Sequence, residues 1–308
     1  MPVLAEPPGN AALQLLEKMA TASQKLTYSG VFIYQSGNQS ETSRIVHLVE
    51  NGDQLERLEV LEGSPREVIR RNEEVRCLLP ESKLMIVDRQ SARVLFPKQV
   101  SGSLAGLSEH YVIRMGPAGR VAGVVAQSLL IEPRDEFRYA HRLWVDPHSG
   151  LMLKATRLGD GGTSIENFVF TEVKIGGPLN REMLKSPMEA ASAQWQVQHV
   201  RSSETRGEEG QWLFKNDLPG FRRVAGVKRQ LRPNTPEGIQ LIYSDGLASV
   251  SVFLDPLAEG EKVDAMAFSV GSVNVYKRQL GNHQLIVMGD VPLAALRRLG
   301  DGIEPRKK

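Results

Sequence analysis

The sequence predicts an α+β protein of two domains, built mostly from antiparallel strands. Three observations support this class. Short strand-like segments follow one another closely, each bounded by Gly, Pro, Asn or Ser. Their connections are too short for crossover helices, so neighbouring strands are expected to pair antiparallel. A purely polar stretch, RSSETRGEEG at 201–210, separates a longer first part of the 308-residue chain from a shorter second part.

The first predicted element is an amphipathic helix that begins at Asn10, as its N-cap, and ends near Lys25. Its apolar residues recur at helical spacing: Ala12, Leu15, Leu16, Met19 and Leu26. A meander of strands follows, in the segments YSGVFIYQS, TSRIVHLVE, LERLEVLEG, REVIRR, EVRCLLP and KLMIVD. Asn51-Gly52 is a strong signal for a hairpin turn within this meander.

The strand pattern is interrupted at 97–109, PKQVSGSLAGLSE, where small residues and two glycines predict a short helix or a mobile flap. Strands resume with HYVIRM, RVAGVVAQSLLIEP, a hairpin at 139–158 and SIENFVFTEVKI. The first domain is expected to end near Gly176.

The segment YAHRLWVDPHSGLMLKATRL at 139–158 is predicted to be a hairpin. Its turn residues are clear, but its strands have apolar residues on both faces. Asp146 can accept hydrogen bonds from the backbone ahead of it, Pro147 fixes φ, and Gly150 can take a positive φ. Leu143 and Trp144 point to opposite faces, and both are apolar. One face would pack on protein and the other could line an apolar cavity suited to acyl chains; the sequence leaves open which is which.

The second domain, from Trp212, is predicted as a small antiparallel sheet closed by a helix that has Pro292 in its first turn. The whole chain has 38 basic and 36 acidic residues, so no overall field favours nucleic acid. Residues 211–308 carry 14 basic and 10 acidic groups, a net charge of +4, which favours an acidic or anionic partner for this domain.

Signs of catalysis, cofactors and metal binding are missing from the sequence. The six histidines and the single cysteine, Cys77, have no metal-ligand spacing, and no nucleophile elbow, P-loop or dinucleotide fingerprint occurs. We therefore expect neither an enzyme nor a cofactor. The N-terminus lacks a signal-peptide pattern and fits a mature chain whose signal peptide has been removed.

Several segments taken together resemble the RseB/MucB family of periplasmic regulators of an extracytoplasmic sigma factor. They are LWVDPHSGLMLK, ENFVFTEV, LPGF, LIYSDGLASVSVFL and VMGDVPLAALRRLGDGI. The resemblance implies an N-terminal unclosed antiparallel β-barrel, LolA-like, with helices over its open side, and a smaller C-terminal domain. The implied divisions are a lipid-sensing domain at 1–176, a linker at 177–210 and an anti-sigma-factor-binding domain at 211–308.

The function that the resemblance implies is negative regulation of a sigma factor of the sigma-E/AlgU type, including control of alginate biosynthesis. The protein would lie in the periplasm and bind the periplasmic domain of a membrane-spanning anti-sigma factor of the MucA/RseA type. It would protect that domain from site-1 proteolysis and release it when lipid or lipopolysaccharide binds. Homo-oligomers are left open. The alternative is a periplasmic lipid or lipoprotein carrier of the LolA/LolB type.

The candidate site residues come from patterning and not from a family motif. The predicted lipid contacts are Phe32, Tyr34, Leu84, Ile86, Phe96, Leu104, Leu107, Leu143, Trp144 and Phe168. The predicted partner contacts in the second domain are Arg222, Arg223, Lys228, Arg229, Arg232 and Tyr243. The alternative for the predicted lipid contacts is ordinary core packing. The alternative for the predicted partner contacts is a solvated strand face.

Overall fold

The computed structural model describes residues 8–88, 106–199, 202–204, 208–229 and 237–306. The chain forms two compact units. The N-terminal unit consists of Met1–Val100, Ile113–Ile131 and His141–Val200, and the C-terminal unit of Ser101–Val112, Glu132–Ala140 and Arg201–Lys308. The three-part division of the sequence at 176 and 210 stays a prediction.

Among the described residues, twelve strands form one sheet in the N-terminal part of the chain. Their bounds are β1 Tyr28–Ser36, β2 Gln39–Glu50, β3 Asp53–Glu62, β4 Glu67–Arg71, β5 Glu74–Leu79, β6 Leu84–Asp88, β7 Tyr111–Val121, β8 Val124–Pro133, β9 Ala140–Val145, β10 Met152–Leu158, β11 Ser164–Ile175 and β12 Gln196–His199. The order is β12-β6-β5-β4-β3-β2-β1-β11-β10-β9-β8-β7, so the sheet keeps two free edges. The predicted unclosed, mainly antiparallel sheet is confirmed; only β12, which pairs with β6, is parallel among the described registers.

The residues at the turns set the strand boundaries. The positions of the turns were predicted well from the sequence, with one exception. Asn51 and Gly52 both have positive φ, 54° and 89°, as the predicted hairpin turn requires. The segments HYVIRM and RVAGVVAQSLLIEP do form two successive strands, but the predicted boundary between them is wrong. β7 runs through to Val121, and the turn lies at Ala122-Gly123, where φ is 49° and 80°.

The first helix, α1 Pro8–Lys25, begins two residues before Asn10, so the prediction of Asn10 as its N-cap is wrong. Four members of its predicted apolar stripe are confirmed, since Ala12, Leu15, Leu16 and Met19 are buried. The fifth, Leu26, lies just beyond the end of the helix and is half-buried. The helix packs on the β9–β10 turn. Lys18 Nζ donates to the carbonyl oxygens of Pro147 at 2.8 Å and His148 at 2.6 Å.

Gly150 is the point of closest approach between this turn and α1. Its φ is +83°, and a Cβ there would lie 2.8 Å from Lys18 Cγ and 3.1 Å from Lys18 O. Asp146 shapes the same turn, because its carboxylate accepts hydrogen bonds from the amides of His148 and Ser149, both at 3.1 Å. The predicted roles of Asp146 and Gly150 are confirmed.

We expect Gly150→Ala to destabilise the N-terminal unit by about 1–3 kcal/mol, since it adds overpacking to an unfavourable φ. The matched control is Gly161→Ala, which has a φ of +68° and no neighbour within 4 Å of its Cβ position. Urea unfolding of both variants measures the difference. Equal losses would mean that only backbone strain matters and that the contact with α1 contributes nothing.

Residues 177–199 make specific contacts with the N-terminal sheet. The helical pieces here are Arg181–Leu184, α3 Pro187–Ala191 and Ser192–Gln194, where α3 is an α-helix and the other two are 3₁₀ turns. Ser186 Oγ donates to Glu67, and Arg57 Nη1 donates to the carbonyl oxygen of Met183 at 3.3 Å. The described part of the predicted linker is thus held on β3 and β4 by side-chain hydrogen bonds.

The C-terminal unit contains a seven-stranded sheet among its described residues, in the order β13-β15-β16-β17-β20-β19-β18. Its elements are α2 Leu107–His110, β13 Ser202–Glu204, β14 Trp212–Phe214, β15 Arg222–Arg229, β16 Gly238–Ser244, β17 Ser249–Pro256, β18 Met266–Val270, β19 Val273–Leu280, β20 His283–Gly289, α4 Leu293–Asp301 and β21 Ile303–Pro305, with a 3₁₀ turn at Glu208–Gln211. β14 pairs with β21 outside the main sheet. The predicted small antiparallel sheet with a closing helix is confirmed; Pro292 is the residue just before α4.

Candidate functional site

An aromatic cluster occupies one face of the N-terminal sheet. In the β1–β11 register, Phe32 lies opposite Phe170 and Tyr34 opposite Phe168. The three phenylalanine rings pack with centroid distances of 5.1–6.0 Å, within the range for edge-to-face and tilted aromatic pairs. Gly30 makes room for them, because a Cβ there would lie 2.8 Å from the ring of Phe170. The rings are buried, so this part of the face is a packed core.

The same face becomes more open towards β6. Ile45, Leu58, Val68, Cys77 and Ile86 lie opposite one another in successive strands from β2 to β6. Ile45 and Leu58 are buried, whereas Val68, Cys77 and Ile86 are half-buried. Burial raises the pKa of the Cys77 thiol, which therefore stays protonated at neutral pH. This end of the face is the best candidate among the described residues for contact with an apolar ligand.

The structure brings together about half of the predicted lipid contacts. Phe32, Tyr34 and Phe168 belong to the aromatic cluster, and Leu84 and Ile86 lie on the same face at β6. Leu107 belongs to the C-terminal unit, where it is buried, and its lipid contact stays a prediction. Phe96, Leu104 and most of the 97–109 flap lie outside the described residues. Lipid contact by the others stays a prediction.

Leu143 and Trp144 do face opposite ways. Leu143 lies opposite Leu129 in the β8–β9 register, and both are buried in protein. Trp144 is half-buried, and its ring is covered by Lys154 Nζ at 4.5 Å and by the Arg142 guanidinium at 5.9 Å. Cations over an aromatic face form favourable cation–π contacts. Trp144 also packs against the buried core that contains Phe32, Phe168 and Phe170. Both sides of the hairpin therefore contact protein, and the Trp144 side also carries charge.

A row of polar side chains crosses four strands beside the aromatic cluster. Tyr28, His47, Glu56 and Arg70 lie opposite one another in β1, β2, β3 and β4, and all four are buried. The rings of Tyr28 and His47 are 5.1 Å apart, and His47 Nδ1 is 2.8 Å from the carbonyl oxygen of Leu26. Burial lowers the pKa of His47 and raises that of Tyr28, which keeps both groups neutral near pH 7. Sequence reasoning missed this row.

A buried arginine organises the C-terminal unit. The Arg138 side chain has no exposed surface, and its Nε donates to Asp245 at 2.7 Å. It also pairs with Asp135, donates to the carbonyl oxygen of Pro219 and stacks on the Phe221 ring at 4.8 Å. These contacts satisfy the guanidinium from several directions, as a buried charge requires.

Asp245 has two structural roles in the YSDG segment. Its Oδ2 accepts from Arg138 and, at 2.9 Å, from the hydroxyl of Tyr111, while its Oδ1 accepts from the amides of Leu247 and Ala248. Burial, together with the charge of Asp245, raises the pKa of Tyr111, which is therefore a neutral donor. The sequence showed a turn at Asp245 but gave no signal that Arg138 would be its partner.

The predicted partner contacts lie mainly along β15. Arg222 and Arg223 are exposed, Lys228 is half-buried, and Tyr243 lies opposite Arg223 in β16. Arg229 belongs to the same strand, opposite Gly238. Arg232 lies outside the described residues. The structure thus gathers most of this basic set on one strand, and its role in partner binding stays a prediction.

In the described ranges, no group of three or more His, Cys, Asp or Glu side chains could hold a metal ion. Nor does any helix in that part of the chain have the length and apolar character needed to cross a membrane.

Comparison with known proteins places both parts of the chain in one family. Residues 11–188 match the family profile described as the MucB/RseB N-terminal domain, and residues 206–304 match that of the MucB/RseB C-terminal domain. The chain belongs to the MucB/RseB family. Sequence reasoning had reached the same family.

Among the relatives of this MucB/RseB member is the sigma factor AlgU regulatory protein MucB of Pseudomonas aeruginosa. It is 31% identical over 303 residues, which cover 94% of this chain and 90% of that protein. The sigma-E factor regulatory protein RseB of Escherichia coli is 26% identical over 294 residues, covering 94% and 89%. The crystal structure of MucB in complex with MucA(peri) matches with a TM-score of 0.75 and 29% identity, covering 96% of this chain and all of that chain.

Proposed function

We propose that this chain is a periplasmic negative regulator of a sigma factor of the sigma-E/AlgU type, and that it acts by binding and not by catalysis. The observation that carries the proposal is the match of both parts of the chain to the MucB/RseB family, whose member MucB has been crystallised with MucA(peri). The partner is the periplasmic domain of a MucA- or RseA-type anti-sigma factor. Binding shields that domain from the site-1 protease and so keeps the sigma factor inactive.

We assign partner binding to the C-terminal unit. The support is its basic strand β15, in which Arg222 and Arg223 project into solvent and no acidic residue lies among the eight residues. Exposed cations attract an acidic segment, speed its association and fix its register. The dependence of such contacts on ionic strength gives a direct test.

We assign lipid sensing to the N-terminal unit. The support is the half-exposed apolar end of its sheet at Val68, Cys77 and Ile86. Lipid that prefers a state of the protein with low affinity for the partner releases the partner, and the partner must weaken lipid binding by the same factor. Isothermal titration of the anti-sigma domain, with and without lipopolysaccharide fragments, measures this coupling; equal affinity at saturating lipid contradicts it.

The double variant Arg222→Glu with Arg223→Glu is expected to bind the anti-sigma periplasmic domain at least about tenfold more weakly, which is about 1.4 kcal/mol. Both side chains are exposed, so the fold should persist, and the dependence of affinity on salt should shrink. The measurement is isothermal titration at low and at physiological ionic strength.

The matched control is Lys262→Glu with Arg306→Glu, which makes the same change of charge at exposed positions of the C-terminal unit outside β15. Equal weakening by both double variants would mean that only net charge matters and that β15 is not the contact surface. If the unmodified protein bound lipid but not the anti-sigma domain, that result would instead favour the function of a lipid carrier.

A further inference from the structure

The strand β18, Met266–Val270, is an edge of the C-terminal sheet and has an exposed apolar face. Among the described residues it is the last strand of the seven, and β19 is its sole neighbour. Its alternate side chains Met266, Phe268 and Val270 are 46%, 40% and 63% exposed. An edge strand also presents main-chain N–H and C=O groups on its free side, where a further strand can pair. The strand therefore offers a second chain both hydrogen-bonding groups and apolar contacts.

The usual protection of an exposed edge is missing from β18. Natural edge strands are commonly blunted by charged side chains, by proline or by a β-bulge. The five residues MAFSV contain no charge and no proline. Their pairing with β19 runs from Met266–Lys277 to Val270–Val273 without a shift in register, so no bulge twists the edge away. Such an edge favours pairing with another strand.

The lack of charge on β18 favours a second copy of this chain as the partner. An acidic or basic segment would lose hydration of its charges there without gaining an ion pair on the strand. A second β18 brings no charge of its own. An antiparallel pair about a two-fold axis through Phe268 sets Met266 opposite Val270 of the second copy. The nearest charged residue in the sequence, Asp264, then lies outside the paired strands.

The same register continues an apolar row across both copies. In one copy Phe268 lies opposite Val275 of β19, which lies opposite Met288 of β20. Val275 is buried and Met288 is half-buried. Pairing about Phe268 joins this row to its symmetric counterpart, so apolar side chains follow one another across three strands of each copy. Aromatic side chains that lie directly opposite each other stabilise antiparallel pairing.

We propose that β18 is a self-association surface, through which two copies of this chain pair antiparallel into a two-fold symmetric dimer. The two Phe268 rings lie against each other at the axis, and Met266 and Val270 of each copy pack on either side of them. The C-terminal sheets of the two copies become one continuous sheet. The inference goes beyond the regulator proposal and does not rest on it, since it follows from the edge strand alone.

Sedimentation velocity of the full chain over about a hundredfold range of micromolar concentration tests the pairing. The unmodified chain should shift from the mass of one chain to twice that mass as its concentration rises. Phe268→Lys places like charges opposite each other at the axis, so its dimer should form only at a concentration at least about tenfold higher. Leu61→Lys is the matched control, because Leu61 is 42% exposed on β3 of the N-terminal unit, and its dimer should be unchanged. A chain that stays monomeric throughout, or a dimer that persists in Phe268→Lys, overturns the proposal.

A mixture of two variants separates a broken interface from a damaged fold. Phe268→Glu should dissociate as Phe268→Lys does, whereas an equimolar mixture of the two should dimerise again, since opposite charges then meet at the axis. A mixture of the folded variants that stays monomeric contradicts the two-fold pairing.

If circular dichroism shows that either charged variant is unfolded, Phe268→Cys replaces both. It places two thiols at the axis, so mild oxidation should give a covalent dimer, whereas Leu61→Cys should give none. Absence of that dimer also overturns the proposal. If the unmodified chain stayed monomeric and Phe268→Lys lost affinity for the anti-sigma periplasmic domain, the strand would serve that partner and not a second copy.

Discussion

Replacing Asp245 with alanine is expected to lower the free energy of unfolding of the C-terminal unit by about 3–5 kcal/mol, the range found when one partner of a buried ion pair is removed. Arg138 has no exposed side-chain surface, and Asp245 has 2%. The variant leaves the guanidinium with Asp135 as its remaining carboxylate. It also removes the acceptor for Tyr111 and for the two turn amides, so several buried donors lose their partner together.

Urea unfolding followed by Trp212 fluorescence measures this loss, because Trp212 is buried in the C-terminal unit and the other two tryptophans, Trp144 and Trp195, lie in the N-terminal unit. Both of these should be replaced with phenylalanine in the background chain. The matched control is Glu304→Ala, which breaks the exposed pair with Lys215 and should change stability by less than about 1 kcal/mol. Equal losses of stability in the two variants would mean that the buried ion pair contributes no more to stability than the exposed one.

Phe170→Ala is expected to destabilise the N-terminal unit by about 3–5 kcal/mol, as large aromatic truncations in packed cores do. The ring is 1% exposed and contacts Phe32, Phe168 and Tyr28. Gly30 lies directly beneath it and has no side chain with which to fill the space. Both the lost contacts and the unfilled cavity therefore lower stability.

Leu61→Ala on β3 is the matched control, since Leu61 is 42% exposed and its truncation creates no closed cavity. Thermal unfolding by circular dichroism and urea unfolding should both rank Phe170→Ala far below Leu61→Ala. A loss at Phe170 no larger than that at Leu61 would indicate that the aromatic cluster is loosely packed and can collapse around the change.

The local parts of the fold were predictable because turn residues act on their own neighbours. Asn51-Gly52 and the Asp146–Gly150 turn determine their hairpins from within, through positive φ and short side-chain hydrogen bonds. The turn at Ala122-Gly123 was missed because alanine rarely adopts positive φ and gives no turn signal. The sequence identifies a turn only when the residues of the turn are themselves of a type that favours turns.

The long-range parts of the fold could not be predicted from one sequence. Ser186 contacts Glu67, and Glu189 contacts Arg71, across separations of 119 and 118 residues. A polar segment that packs on a sheet through ion pairs has the same composition as a solvated linker. Composition alone therefore does not distinguish a packed segment from a linker. Which side chains of residues 177–199 meet β3 and β4 depends on how this segment is aligned with the two strands. Only the tertiary structure gives that alignment.

The candidate site was predictable in its apolar part and not in its polar part. Alternation along β1 and β11 marked Phe32 and Phe168, and the register confirms that they share a face with Tyr34. Glu56 and Arg70 are buried, although charged residues in strands are normally solvated. Their burial depends on what covers the sheet, and a periodic pattern carries no information about that.

The Arg138–Asp245 pair has a consequence for the order in which the molecule can form. The two residues are 107 positions apart, so a chain emerging from its N-terminus at about 5–20 residues per second exposes Arg138 about 5–20 seconds before its partner. Until then the segments Ser101–Val112 and Glu132–Ala140 have no core to join. Residues after 200 therefore complete a unit that the middle of the chain began, and a fragment that starts after residue 200 lacks Arg138, the buried partner of its Asp245.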